Sequence, residues 1–170
     1  MSDMKELRVG RTELEQFCTQ VFTCLEMPID HAEACSEILV TADVRGISSH
    51  GVARLWRYVN GITTGVMKPF TESVITHQTP ISTVIDAKGG IGLSLSKQVM
   101  QNVVDTARTH GFATATVKDS NHFGIAGYYA LMALPEDMIG IAMTNTAALG
   151  VPTFGRDAQF GTNPIAVAVP

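Results

Sequence analysis

Cysteine is scarce in this chain of 170 residues, which has only Cys18, Cys24 and Cys35. No two of them form a C-x-x-C pair, and an odd number cannot all be bridged. Free thiols in a reducing compartment explain them better than a disulfide or zinc framework does. Charge is also sparse, at 16% of residues, with a net charge of −4 and no cluster of Lys and Arg. That excludes the usual surface for nucleic acid or an anionic membrane. No apolar run reaches the ~18 residues a membrane helix needs. The opening stretch, MSDMKELRVG, is too polar for a secretory signal. A cytoplasmic protein is therefore expected. Hydrophobic residues make up 45% of the chain, enough to bury one ordinary core or two small ones.

The first third reads as helical. Thr12 and Glu15 have the T-x-x-E spacing of a capping box. Leu14, Phe17, Cys18, Val21, Phe22 and Leu25 follow at amphipathic spacing, and Cys18 on that stripe reads as a small buried hydrophobe. Pro28 is expected to end this helix. Asp30 and Glu33 then open a second one, with Ala34, Ile38 and Ala42 on one side and Gly46 as its stop.

After Lys68-Pro69 the texture changes to short β-branched runs: 73–76, 83–86, 113–117, 139–144 and 165–169. Helical patterns lie between them, over 94–110 and 125–134. Strands alternating with helices predict a mixed α/β fold. The division falls into a helical domain over 1–75 and an α/β domain over 76–170.

The segment DVRGISSHGVARLWRY, residues 43–58, carries the most chemistry. If a helix starts at His50, then His50, Arg54 and Tyr58 stack on one face, with Val52, Leu55, Val59 and Ile62 on the other. An imidazole can move a proton near neutral pH, and a guanidinium grips a carboxylate by two parallel hydrogen bonds. A helix N-terminus also lowers the pKa of a nearby histidine and welcomes an anion. A solvated polar stripe is the competing explanation.

Other segments are weaker. Gly89-Gly90-Ile91-Gly92 fails the full G-x-G-x-x-G pattern, so a glycine turn entering a helix is preferred to a dinucleotide loop, even with Asp119 available to imitate a ribose-binding acid. His122, in Ser120–Gly124, sits at a strand-to-helix junction where α/β proteins often place ligands. It could polarise a carbonyl or simply cap the next helix. Asn145–Ala148 reads as an ordinary loop. Asn163 precedes Pro164 and is expected to be extended. His31, His77 and His110 are expected at the surface. A metal site from His50 and His122 has no supporting ligand spacing.

Taken together, these blocks resemble the malate/L-lactate dehydrogenase family of the non-Rossmann type, whose relatives include ureidoglycolate dehydrogenase, sulfolactate dehydrogenase and diketogulonate reductase. The matching blocks are Asp43–Gly46 with Ser49-His50-Gly51 and Arg54, then Asp86-Ala87 with Gly90–Gly92. They continue with Asn121–Gly124, Ala126–Tyr129 and Gly161–Pro164. The resemblance implies an oxidoreductase using NAD or NADP on a small 2-hydroxy or 2-oxo acid. It implies a helical domain followed by part of a non-Rossmann cofactor domain, in a homodimer. His50 would be the proton donor, with His122 also lining the site. Arg54 would bind the substrate carboxylate with Tyr58 close by. Thr146, Gly161, Thr162 and Asn163 would lie against the cofactor. Such enzymes are much longer, so the chain is expected to be an N-terminal portion, either working with a complementing C-terminal portion or surviving as an inactive remnant.

Overall fold

The computed structural model describes residues 8–170. Most of the polar opening stretch lies outside the described residues.

Helix α1 (Arg11–Cys24) begins after the extended Gly10 and turns Cys18 and Phe22 inward. The expected capping box does not form. The helix starts two residues earlier than that box requires, so Thr12 is already inside the first turn. The Glu15 carboxylate accepts from Arg11 Nε at 2.8 Å instead. The helix also ends before Pro28, where Glu26 enters the left-handed region at φ 63°. Pro28 is the residue from which α2 (Ile29–Val44) starts.

Helix α2 is the centre of the molecule. It buries Ala32, Cys35, Ser36, Ile38, Leu39, Val40 and Ala42, residues that cover most of its circumference. Such a helix must be packed on several sides, and α2 packs against α1, α4 and α5. Its buried hydroxyl is satisfied: Ser36 Oγ donates to the Ala32 carbonyl at 2.8 Å and accepts from Thr19 Oγ at 3.0 Å. Gly46, at φ 75°, provides the left-handed stop, and Ile47 N–H donates back to the Ala42 carbonyl at 2.8 Å.

No single helix runs from His50. Residues Ser48–His50 and Val52–Arg54 form two 3₁₀ turns, and α3 covers only Leu55–Thr63. This shift puts Leu55, Tyr58 and Gly61 on the buried stripe of α3. Tyr58 is completely buried, against the edge of Phe22, rather than on a polar face with Arg54.

The five expected strands form within a residue or two of their predicted limits. β1 (Val74–Gln78) pairs antiparallel with β2 (Ser82–Asp86), which pairs parallel with β3 (Thr114–Lys118). Helix α4 (Gly92–His110) supplies the crossover that parallel pairing demands. Helix α5 (Ala126–Leu131) is shorter than expected. Pro135 lies in a separate 3₁₀ turn, Leu134–Glu136, and does not end α5 itself. β4 (Gly140–Met143) and β5 (Ile165–Ala168) form a second, antiparallel pair. The architecture is mixed α/β, as the alternation predicts. One buried cluster draws on α1, α2, α3, Ile91, Leu93 and α5 residues Tyr128 and Tyr129.

The two faces of the β4–β5 pair differ. One carries Gly140 and Ala168, both buried, and α5 packs on this pair. Gly140 has no room for a side chain, since a Cβ would come within 1.9 Å of the Ala130 carbonyl oxygen. The other face aligns Ile141 with Val167 and Met143 with Ile165, and all four side chains are exposed.

Candidate active site

The loop after α2 is tied down by Asp43. Its Oδ2 accepts from Val52 N–H at 2.8 Å, and its carboxylate fills the space a Cβ on Gly51 would need. The tie holds Ser49, His50 and Arg54 in fixed relation. Ser49 Oγ lies 3.0 Å from His50 Nδ1. Arg54 Nε donates to the Ser49 carbonyl at 2.6 Å. This bond leaves the two terminal guanidinium nitrogens without a protein partner among the described residues.

His122 arrives from the far side of the sequence. Asn121 Nδ2 donates to the Gly89 carbonyl at 2.9 Å and lies 3.3 Å from that of Gly90. A Cβ on Gly92 would stand 2.2 Å from the Asn121 carbonyl oxygen and 3.0 Å from that of His122. The glycine turn at 89–92 therefore lets the His122 loop lie directly on the start of α4. Asp119 belongs to the same turn: it is exposed, and its carbonyl accepts from Gly89 N–H at 2.8 Å.

The two imidazoles meet. His50 and His122 stack with centroids 5.6 Å apart and planes 22° from parallel. Tyr58 lies below them, with its hydroxyl 2.6 Å from His122 Nδ1. Burial, followed by the charges of Arg57, His50 and Arg54, pushes the His122 pKa down to about 4. His50 is also held below its ordinary value, by burial first and then by Arg54 and Arg57. The cause is thus desolvation and neighbouring guanidinium groups rather than a helix terminus, since α3 starts only at Leu55. Burial raises the Tyr58 pKa, so its hydroxyl keeps its proton.

The structure brings His50 and His122, both singled out from the sequence, against each other, while Asp43, Ser49, Asn121 and Gly92, which the sequence offers only as parts of the matching blocks, fix the loops that carry them. A side chain directly beside a histidine, as in Ser49-His50, is the one local signal that was available.

Thr146, Gly161, Thr162 and Asn163 form a second group. Thr146 N–H donates to Asn163 Oδ1 at 2.9 Å, and Thr162 N–H donates to Thr146 Oγ at 2.8 Å. A Cβ on Gly161 would strike Thr146 Oγ at 2.4 Å. Asn163 is not extended. Its φ of 42° is left-handed, a region asparagine enters more readily than most residues, and its side chain reaches across to accept from Thr146 N–H. Among the described residues no hydrogen bond joins this group to the histidines; α5 follows the His122 loop and packs on β4 and β5.

The remaining histidines divide. His77 and His110 are exposed as expected. His31 is not a surface residue: its side chain is 13% exposed, its Nδ1 is 3.0 Å from Ser94 Oγ, and its ring meets the edge of Phe70. It lines a cavity of about 360 Å³ with Glu72, Ser94 and Gln98. Among the described residues, no group of three or more His, Cys, Asp or Glu is placed to hold a metal ion.

The mixed α/β chain superposes on dehydrogenases of known structure. Malate dehydrogenase from Pyrococcus horikoshii OT3 superposes with a TM-score of 0.94 at 40% identity, over 100% of this chain and 49% of that one. In sequence, malate dehydrogenase from Pyrococcus abyssi is 42% identical over 99% of this chain and 46% of its own length. L-sulfolactate dehydrogenase from Methanothermobacter thermautotrophicus is 32% identical over 96% and 48%. The chain belongs to the malate/L-lactate dehydrogenase family, whose model matches residues 9–170. It spans about half the length of the curated relatives it matches.

Proposed function

We propose that the chain carries the proton-handling and carboxylate-binding part of an NAD(P)-dependent oxidoreductase that interconverts a 2-hydroxy acid and a 2-oxo acid. The observation that carries this reading is the stack of His50 on His122 beside Arg54. In reduction, protonated His50 gives its proton to the oxygen where negative charge develops. Neutral His50 takes that proton back in oxidation. Arg54, already anchored through Nε, offers its two terminal nitrogens to the substrate carboxylate and so orients the carbonyl. Tyr58 is buried, which argues against a substrate contact.

The chemistry the cofactor supplies when bound is hydride donation to, or acceptance from, carbon 2 of the substrate. Thr146, Thr162 and Asn163 are exposed and hydrogen-bonding, which fits an amide or ribose hydroxyl. They bring no positive charge, so a diphosphate must find its counter-charge elsewhere. In this reading residues 1–75 hold the acid and the clamp, and residues 76–170 hold His122 and the cofactor-facing loops.

The test is oxidation of NADH and NADPH with oxaloacetate, pyruvate and related acids, with His50→Ala as the control. Turnover lost in that variant is expected, and unchanged turnover removes His50 from the mechanism. A second reading is a catalytically inactive remnant that keeps the fold or a dimer surface. It is favoured by the uncovered apolar face of β4–β5. A cooperative melt without NAD(P)H binding by calorimetry would support it. Either a homodimer or a complementing C-terminal portion would serve as partner, and size-exclusion chromatography with light scattering distinguishes them.

A further inference from the structure

We infer that Tyr58 and the backbone of Gly124 lock His122 as a neutral imidazole with its proton on Nε2. His122 then acts as a fixed hydrogen-bond donor rather than a second proton carrier, and Tyr58 is its positioning residue. The argument starts from Gly124. Its N–H lies 3.3 Å from His122 Nδ1, aligned for a hydrogen bond. A backbone N–H can only donate, so Nδ1 must present a lone pair. An imidazolium has no lone pair at either nitrogen, and the Nδ1–H tautomer has none at Nδ1. Both are therefore excluded while that contact holds. The Tyr58 hydroxyl, 2.6 Å from the same nitrogen, must then also donate. It has a proton to give, because the phenol is completely buried and cannot ionise without solvation. Two donors converge on one acceptor, and only Nε2 remains to carry the ring proton.

This assignment separates two histidines that the sequence cannot tell apart. His50 stacks on His122, so a charge on one opposes a charge on the other. His122 has its Nδ1 occupied by donors. Among the described residues His50 has at Nδ1 only the Ser49 hydroxyl, which can donate or accept and so tolerates the charged ring. His50 is therefore the ring that cycles between charged and neutral, while His122 offers a constant N–H. Placed toward a substrate oxygen, that N–H would stabilise developing charge without changing protonation state. The division of labour rests on the proposed reaction, but the tautomer does not.

The test is nitrogen-detected NMR of the intact chain labelled with ¹⁵N-histidine, followed through a pH titration, with assignment by His122→Gln. We expect His122 to show an unprotonated Nδ1 and a protonated Nε2 throughout the neutral range, while His50 titrates. In Tyr58→Phe, Nδ1 of His122 should stay unprotonated under the remaining Gly124 donor but move away from its doubly hydrogen-bonded position. A protonated Nδ1 in the unmodified chain overturns the assignment. Unchanged His122 nitrogens in Tyr58→Phe remove Tyr58 as the positioning residue. Both readouts need no turnover, so an inactive chain leaves the inference standing. An active chain with the wrong tautomer sinks it alone.

Discussion

The two groups of candidate site residues are built differently. The histidine group is seated on a closed core: Tyr58 and Phe22 are fully buried beneath it, and Asp43 and Asn121 fix its loops through backbone contacts. The Thr146–Asn163 group hangs on a two-stranded sheet whose outer apolar face is open, with Leu149 and Phe154 exposed in the intervening loop. The first group therefore rests on rigid, closely packed support. The second makes hydrogen bonds mainly within itself. The difference is physical: α2 is covered from several sides, whereas the β4–β5 pair packs chiefly against α5, on one face. The histidine group can thus be complete in its internal contacts while the adjoining Thr146–Asn163 region still presents unburied apolar area.

The strongest way to test the first half of that comparison is to remove its chemistry. His50→Ala should lower turnover by about 10²–10⁴-fold, the usual contribution of a positioned acid-base group. The melting curve should stay close to the parent's, because the ring is only partly buried. Large losses of both activity and stability would mean that His50 is structural. Removing the support beneath the histidines should instead be felt in stability. Phe22→Ala, which deletes a fully buried ring, should cost about 3–5 kcal/mol in denaturant unfolding. A loss below about 1 kcal/mol would show the core to be less closed than its burial implies.

Arg54→Lys comes next. A lysine keeps the charge but cannot keep the Ser49 bond and grip a carboxylate with two more nitrogens. The loss of one charge-assisted hydrogen bond, about 1.5–3 kcal/mol, should raise KM for the 2-oxo acid by roughly tenfold or more. An unchanged KM would release Arg54 from substrate binding.

pH separates the groups further. The folded His122 has a pKa near 4, against about 6.5 in an unfolded chain. Between those values the unfolded state binds more protons, so stability should fall as the pH drops from about 6.5 toward 4. In kinetics the lowered His50 pKa acts alongside it. Oxidation should rise with pH through a value below 6.5, and reduction should decline over the same range. A kinetic pKa above 6.5 would contradict the burial and guanidinium effects at His50.

Much of the fold was legible because periodicity reports burial locally. The five β-branched runs became strands, and Gly46 and Gly111 stopped their helices. The segment after Gly46 was misread because helix phase depends on where the helix starts. Two 3₁₀ turns, fixed by the distant Asp43 carboxylate, delay α3 to Leu55 and rotate Tyr58 from the polar face to the core. His31 was misplaced for a similar reason. Its burial depends on Ser94 and Phe70, which no local pattern connects to it. The stack of His50 on His122 is likewise long-range, so spacing alone could name both residues but not join them.

The smallest expected effect bears most directly on the open sheet face. Ile141 is 53% exposed opposite Val167, and Met143 is 62% exposed opposite Ile165. Replacing a side chain that already faces water costs little transfer energy, and threonine keeps the β-branch that suits a strand. Ile141→Thr should therefore change stability by no more than about 0.5 kcal/mol, against the several expected for Phe22→Ala. The same substitution on a covered face would bury a hydroxyl and forfeit apolar contact, costing about 1–3 kcal/mol. Denaturant titration at two protein concentrations discriminates the cases. A small, concentration-independent change confirms that this face is open in the isolated chain. A cost above 1 kcal/mol that grows with protein concentration would mean that copies of the chain cover it, and the contrast between the two halves would then disappear in the assembly.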